Sequence, residues 1–404
     1  MSTMKILVAP DKFKGSLSAA EVAQALETGL LAGGSRDSGA TVVPAGASQA
    51  GGQQARGPQI SCRLLPLADG GDGSVQAALA AGFRPLAVEV AGPTGGPASA
   101  TVAFDGHAAV VEVATTSGLQ MLPAGGLAPM ASSSAGFGQA IRAALGQGPR
   151  QLVLALGGSA STDGGAGMLH ALGARFFDAA GRAFAPSGGS LADIARIELD
   201  GLPGLAGVDI VAANDVRNPL LGPDGAAAVY GPQKGADPED VQLLEAGLAN
   251  LVRRLEEAGS AAASCAEAPG AGSAGGLGFA AMLLGARMVS GADFFLDLLG
   301  FEQAAAGCDL VITGEGKLDA QTLSGKLPLV VARRSAPKPV VAVVGHNALA
   351  QDALPEHGIG QIHALSAMTG QDCAADPELS RRLLAELGRD IAQTLQPSKD
   401  AIPS

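Results

Sequence analysis

The chain has 404 residues, 47% of them hydrophobic, a formal net charge of −12, one tyrosine and no tryptophan. Its length ordinarily exceeds one hydrophobic core, so two domains are expected, and the apolar fraction suits a well-buried α/β protein. A nucleic-acid partner is disfavoured, because single strands are held on aromatic platforms in basic grooves and this composition offers neither.

In chain order, Lys5–Pro10 ("KILVAP") reads as a strand and is followed by a helix beginning near Ser18, where Ser18 and Glu21 form an S-x-x-E capping box. Residues 33–60, dense in Gly, Ala, Ser and Gln, read as a flexible surface insertion. Arg63–Ala68 ("RLLPLA") resumes the strand pattern and runs through "DGGDGS" into a helix. Three strand-like runs then follow without helices between them, "LAVEVAGPTG", "ATVAFDG" and "AAVVEVA". Such a meander implies an antiparallel or mixed sheet, hence a change of architecture near residue 88. "QLVLALGG" and "DIVAAND" supply further strands, and Asp237 with Pro238 starts a long helix through Leu255. "LGFAAMLLGARMV" reads as a helix, after which "DLVITGEG", "PVVAVVGHN" and "QIHALS" restore the alternation of a parallel sheet.

The expected fold is therefore α/β with two domains. Residues 1–88 and 290–404 make a discontinuous Rossmann-like parallel-sheet domain, and residues 89–289 make an inserted mixed-sheet α/β domain. Cys62, Cys265, Cys308 and Cys373 lie far apart, without the close pairs of a zinc or thiol redox site. The N-terminal apolar run is too short for a signal peptide, and no stretch reaches the roughly 20 apolar residues of a membrane span. A cytoplasmic protein with no membrane partner is expected.

In a parallel sheet, ligands gather at the carboxyl ends of strands. Asp11, Lys12, Lys14 and Ser16 follow the first strand; Asp69, Gly70, Gly71 and Asp72 follow the second; Gly314, Glu315, Lys317 and Asp319 end or follow "LVITG". Acids mixed with lysines suit an anion bound with a divalent cation, since carboxylates take the metal and lysines neutralise phosphate oxygens. Asp and Gly after strands also serve as plain turn residues.

The stretch "LALGGSASTDGGAG" is a strand, a glycine loop and a helix start, an arrangement in which backbone N–H groups can cradle an anion. Gly157 and Gly158 turn the chain, Ser159, Ser161 and Thr162 add hydroxyls, and Gly164 and Gly165 enter the helix. Asp163 either caps that helix, holds Mg²⁺ or accepts a substrate proton. Lys234 in "GPQKG" is displayed for a phosphate or is a surface lysine. Asn214 and Asp215 bind metal or substrate hydroxyls or form an Asx turn. Thr116 and Ser117 offer hydroxyls to a small polar substrate. A G-x-G-x-x-G spans Gly270–Gly275 but follows no strand, so Gly275, Gly276 and Gly278 read either as ligand contacts or as helix packing. No phosphate-loop motif of the G-x-x-x-x-G-K-S/T type is present.

Seven segments occur together: "APDKFKGSLSAAEVA", "PLADGGDGS", "GPTGGP", "ALGGSASTDGGAGMLHALGARF", "NPLLGPDGAAAVYGPQKGA", "GAGSAGGLGFAAMLLGA" and "DLVITGEGKLDAQTLSGK". In this order the chain resembles the bacterial glycerate kinase family, of the D-glycerate 2-kinase type, over nearly its whole length. Thr162 and Asn214 stand where that family usually has Asn and Cys. The resemblance implies ATP and Mg²⁺, D-glycerate as acceptor, and 2-phosphoglycerate as product, by in-line transfer in an interdomain cleft. On that reading Asp163, Asp69, Lys14 and Lys317 are catalytic, Asp72 and Glu315 hold the metal, and the remaining loop residues bind substrate or nucleotide. It leaves room for a homodimer. An NAD-dependent hydroxy-acid dehydrogenase and a non-catalytic anion sensor are the other readings.

Overall fold

A computed structural model describes residues 3–34, 59–319, 322, 326–349 and 355–395. The expected insertion at 33–60 lies, from 35 to 58, outside the described residues. The chain forms two compact units, the first from Met1–Leu67 with Leu296–Ser404 and the second from Ala68–Phe295. Among the described residues no helix is long and apolar enough to cross a membrane.

The first unit opens with β1 (Met4–Pro10), whose Ile6–Pro10 run is buried. Helix α1 (Ala19–Gly33) follows, and Ser18 caps it as the sequence predicts: its hydroxyl accepts from Glu21 N, while the Glu21 carboxylate accepts from Ser18 N. β2 (Ile60–Leu64) ends earlier than the expected Arg63–Ala68. Pro66 has no N–H to give to a ladder, and the chain leaves the sheet through single bonds from Leu65 N to Val8 O and Leu67 N to Pro10 O.

The second unit begins with α2 (Ser74–Ala80), β3 (Arg84–Ala91), β4 (Pro97–Phe104), β5 (Ala108–Glu112), α3 (Ala135–Leu145), β6 (Gln151–Ala155) and α4 (Ala166–Leu172). A small antiparallel sheet follows from β7 (Arg175–Phe177), β8 (Ala183–Phe184) and β9 (Arg196–Glu198). Then come β10 (Asp209–Ala213), α5 (Ala226–Tyr230), α6 (Pro238–Glu257), α7 (Ala262–Glu267), α8 (Leu277–Leu283), β11 (Arg287–Val289) and α9 (Gly291–Leu298). The main sheet has the order β11-β10-β6-β5-β4-β3. β3, β4 and β5 run antiparallel, while β5, β6, β10 and β11 run parallel, which makes the sheet mixed. Because α2 and β3 pack with β4 and β5, the boundary falls at Leu67 and not near residue 88. The helix expected through Val289 stops at Leu283, and Arg287–Val289 is instead an edge strand beside Val211–Ala213.

The chain re-enters the first unit at Leu296, within α9, and continues with α10 (Phe301–Ala306), β12 (Leu310–Leu318), α11 (Leu327–Ser335), β13 (Val340–Asn347), β14 (Gln361–Ala364) and α12 (Pro377–Thr394). Its five strands are all parallel, in the order β14-β13-β12-β1-β2. Numbered within the unit, this is 2-1-3-4-5, a doubly wound order whose topological switch point lies between β1 and β12. β12 outruns β1: the pair ends at Pro10 with Gly314, yet β12 stays paired to β13 as far as Leu318 with Asn347. Glu315 and Lys317 thus lie in a strand and not in the loop expected after it.

Candidate active site

In the second unit, β5, β6, β10 and β11 end on one edge of the sheet, and the segments that leave them interlock. A Cβ on Gly157 would stand 2.5 Å from Gly71 Cα, so the segment after Ala68 lies backbone against backbone on the segment after β6. Leu119 N donates to Gly158 O at 2.9 Å and Ala160 N to Ser117 O at 2.9 Å. Gly164 N donates to Gly275 O at 3.0 Å, which draws in the 270–276 loop. A Cβ on Gly275, where φ is +71°, would stand 2.0 Å from Ser161 O and 2.8 Å from Lys234 Nζ. The glycines Gly275 and Gly276 therefore let two loops touch; Gly276 would meet Gly164 Cα at 2.6 Å. Their segment follows α7 and not a strand, so it is no dinucleotide loop.

Lys234 ends the short turn Pro232–Lys234 and is 3% exposed. Its Nζ donates to Ser159 Oγ at 3.0 Å and to Ser161 O at 2.5 Å. Burial pushes the ammonium down to about 7, opposed by the negative charge of Asp163. Ser161 Oγ and Thr162 Oγ1, both fully buried, make no hydrogen bond among the described residues. Buried hydroxyls normally find a partner, so these two are the exception in a loop whose Ser159 and Ser161 hold the Lys234 ammonium.

Asp163 is fully buried and differently occupied. Its Oδ2 accepts from Ser134 N at 2.7 Å, Ser134 Oγ at 2.8 Å and Gly167 N at 3.2 Å; its Oδ1 accepts from Gly165 N at 3.2 Å. This carboxylate ties the starts of α3 and α4 together, a capping arrangement. The sequence reading missed Ser134, whose hydroxyl also accepts from Met168 N at 2.9 Å. It missed Glu112 too, a buried end-of-strand acid whose Oε2 accepts from Val75 N at 2.9 Å at the start of α2. Neither shows a local pattern, because each partner is distant in the chain.

Asp69 Oδ1 accepts from Gly71 N at 3.0 Å, closing a turn over Gly70, and Asp72 sits in the next turn, where Ser74 N donates to Gly71 O. Gly70 lies on Ala213, at the end of β10, and Gly291 lies on Asp69 O. Asp215 Oδ1 accepts from Gly291 N at 3.0 Å, and desolvation, with Asp69 as a neighbouring negative charge, pushes its carboxyl up. Asn214 closes on itself as an Asx turn, giving Nδ2 to Val216 O and taking Val216 N on Oδ1. Thr116 and Ser117 are fully buried: Thr116 Oγ1 donates to Glu112 O, and Ser117 Oγ accepts from Phe137 N.

The first unit holds the other candidates. Asp11, 8% exposed, accepts from Lys12 N at 2.7 Å. Glu315 on β12 accepts from Thr322 Oγ1 at 2.7 Å, and the exposed Lys317 pairs with Asp319 at 3.4 Å. Gly314 packs on Val343 O, and Ser16 Oγ donates to Cys373 O at 3.1 Å. Lys14 is exposed and lines a cavity of about 200 Å³ at the carboxyl ends of these strands. Of the expected metal ligands, Glu315 belongs to this unit and Asp72 to the second.

The model of the glycerate kinase family matches residues 6–396. The glycerate kinase of Bacillus subtilis is 37% identical over 98% of this chain and 99% of its own length. The glycerate 2-kinase of Escherichia coli K12 is 37% identical over 91% of this chain and 92% of its own length. A crystal structure described as a glycerate kinase 2 of Salmonella typhimurium LT2 superposes with a TM-score of 0.77 at 36% identity, covering 98% of both chains. With a family match that runs nearly end to end and an architecture shared with a solved relative, the chain belongs to the glycerate kinase family.

Proposed function

We propose that this protein transfers the γ-phosphoryl group of ATP to the 2-hydroxyl of D-glycerate, giving ADP and 2-phosphoglycerate. The observation that carries the reading is the buried Lys234 ammonium on the loop of Ser161 and Thr162, whose hydroxyls make no hydrogen bond among the described residues. A small hydroxy acid offers a carboxylate for the ammonium and oxygens for the hydroxyls, and charge-assisted bonds of that kind are the strong ones. The names carried by the Bacillus and Escherichia relatives point to the same acceptor.

Phosphoryl transfer relies on positioning and charge neutralisation more than on covalent chemistry by the protein. Asp163, held by four donors, orients the 159–165 loop and the Lys234 charge. On this reading Asp69, whose turn packs through Gly71 against Gly157, accepts the proton of the attacking hydroxyl. Mg²⁺, when bound, neutralises charge on the phosphate oxygens. No cluster of three or more His, Cys, Asp or Glu able to hold a metal occurs among the described residues. Mg²⁺ suits such a site, since it takes one or two carboxylates and completes its shell with phosphate and water oxygens. Asp215, whose Oδ1 accepts from Gly291 N where Gly291 packs on Asp69 O, and Asp72, in the turn closed by Ser74 N on Gly71 O, would hold it.

The test is a coupled assay of ADP release with D-glycerate, with and without EDTA, followed by phosphorus NMR of the product. Glycerate-dependent ADP release that EDTA abolishes, with 2-phosphoglycerate formed, is the expected result. A folded protein that releases no ADP overturns the proposal, and 3-phosphoglycerate as product overturns its regiochemistry.

A further inference from the structure

The cavity of about 200 Å³ in the first unit sits where the doubly wound rule places ligands, at the carboxyl ends of strands flanking the switch point. Phe13 and Lys14 line it after β1, Gly316 from β12, Gly345 and His346 from β13, and Ser366 after β14. Its far wall, the 371–374 loop, is pinned in place. Ser16 Oγ and Ser380 Oγ both donate to Cys373 O, at 3.1 and 2.6 Å, and Ala374 N donates to Asp372 Oδ1 at 2.9 Å. The hollow is thus preformed.

Its size and lining narrow the occupant. Whole drug-sized ligands fill about 300–1,000 Å³, so a cavity of this volume takes one flat ring system and not a complete nucleotide. Phe13, Cys373 and Ala374 are the apolar residues of its lining. At the edges, His346 Nδ1 lies 3.1 Å from Ser366 Oγ, and Gln371 and Asp372 add an amide and a carboxylate. A purine matches this, with apolar faces and an edge of alternating donors and acceptors. Lys14 on the cavity wall is the cation available to a phosphate tail.

We propose that this cavity is the adenine subsite of the donor nucleotide, with Lys14 receiving its phosphates. The inference rests on the reading of ATP as phosphoryl donor, but binding tests it independently of turnover. Ala374 is exposed at the rim, so Ala374→Phe fills the hollow without disturbing the core. Wild type and the variant, matched by thermal melting, are titrated calorimetrically with ADP, adenosine and inorganic tripolyphosphate. The expected result is that Ala374→Phe weakens ADP and adenosine by about tenfold or more while tripolyphosphate binds within about twofold of wild type. Unchanged ADP binding overturns the inference, as does equal weakening of tripolyphosphate. If ADP binding falls as expected but glycerate is never phosphorylated, the subsite stands and the assignment of the acceptor fails.

Discussion

Lys234 Nζ donates to Ser159 Oγ across 3.0 Å in a setting from which solvent is nearly excluded. The two residues stand 75 positions apart in the chain, and the loops of 159–165 and 270–276 meet at the ammonium. A lysine so placed is costly unless its charge is used, because burying an ammonium without a full set of partners opposes folding.

Lys234→Met removes that charge and is expected to lower kcat/KM for D-glycerate by roughly a hundredfold or more, with ATP binding to the protein unchanged. Steady-state kinetics with both substrates varied, alongside far-UV circular dichroism, reads the outcome. An effect below about threefold would return Lys234 to a packing role.

The same residue sets a pH dependence. In the folded protein the ammonium loses its proton at about 7, against 10.5 for an ordinary lysine. Glycerate affinity that depends on the charged form is therefore expected to fall as pH rises through about 7. Between about 7 and 10.5 the unfolded chain holds a proton that the folded chain does not, so this group makes stability rise with pH across that window; below about 7 both states are charged and its unfavourable contribution is constant. Urea unfolding at several pH values should show a smaller rise in that window for Lys234→Met than for wild type.

Ser161→Ala and Thr162→Val are expected to leave stability unchanged or slightly raised, since each removes a buried hydroxyl that makes no hydrogen bond among the described residues. The KM for D-glycerate should rise by roughly tenfold for each lost ligand bond. A drop in stability with unchanged KM would mean that the hydroxyls serve the fold alone.

Asp163→Asn places an amide NH₂ among donors. Three of them, Ser134 N, Ser134 Oγ and Gly167 N, point at Oδ2. The expected cost is about 2–4 kcal/mol of stability by chemical denaturation, and activity should fall because the loop carrying Ser159 and Ser161 shifts. A kcat loss of roughly a hundredfold at unchanged stability would instead make Asp163 the proton acceptor.

Gly275→Ala tests the loop contact directly. The new Cβ would stand 2.0 Å from Ser161 O at a backbone φ of +71°, so stability should drop by about 1–3 kcal/mol. KM for glycerate should rise with it, whereas ADP binding, measured calorimetrically, should stay as in wild type.

Several features are legible in the sequence for local reasons. The Ser18 and Glu21 box spans a single turn, and Asp237 with Pro238 caps α6, its carboxylate taking Glu239 N and Asp240 N. The glycine loop after β6 is equally plain. Other features are not. The length of Arg63–Ala68 misled because Pro66 interrupts pairing, and Arg287–Val289 looked helical because it joins an apolar run whose break is a turn at Gly285. The burial of Lys234 is invisible in "GPQKG", since it depends on residues 159–161 and 275 closing over it.

By itself the sequence determined what depends on neighbours a few residues apart: the alternation of strands and helices, their caps, and which loops carry acids, hydroxyls and glycines. Only the tertiary structure decided which of those polar groups are consumed and which stay available. Asp163, Thr116 and Ser117 are taken up by Ser134, Glu112 and Phe137, while Ser161 and Thr162 keep hydroxyls without a bond among the described residues. The reason is that hydrogen bonding inside a protein is a matter of which distant donors reach an acceptor, and that pairing exists only after the chain has folded.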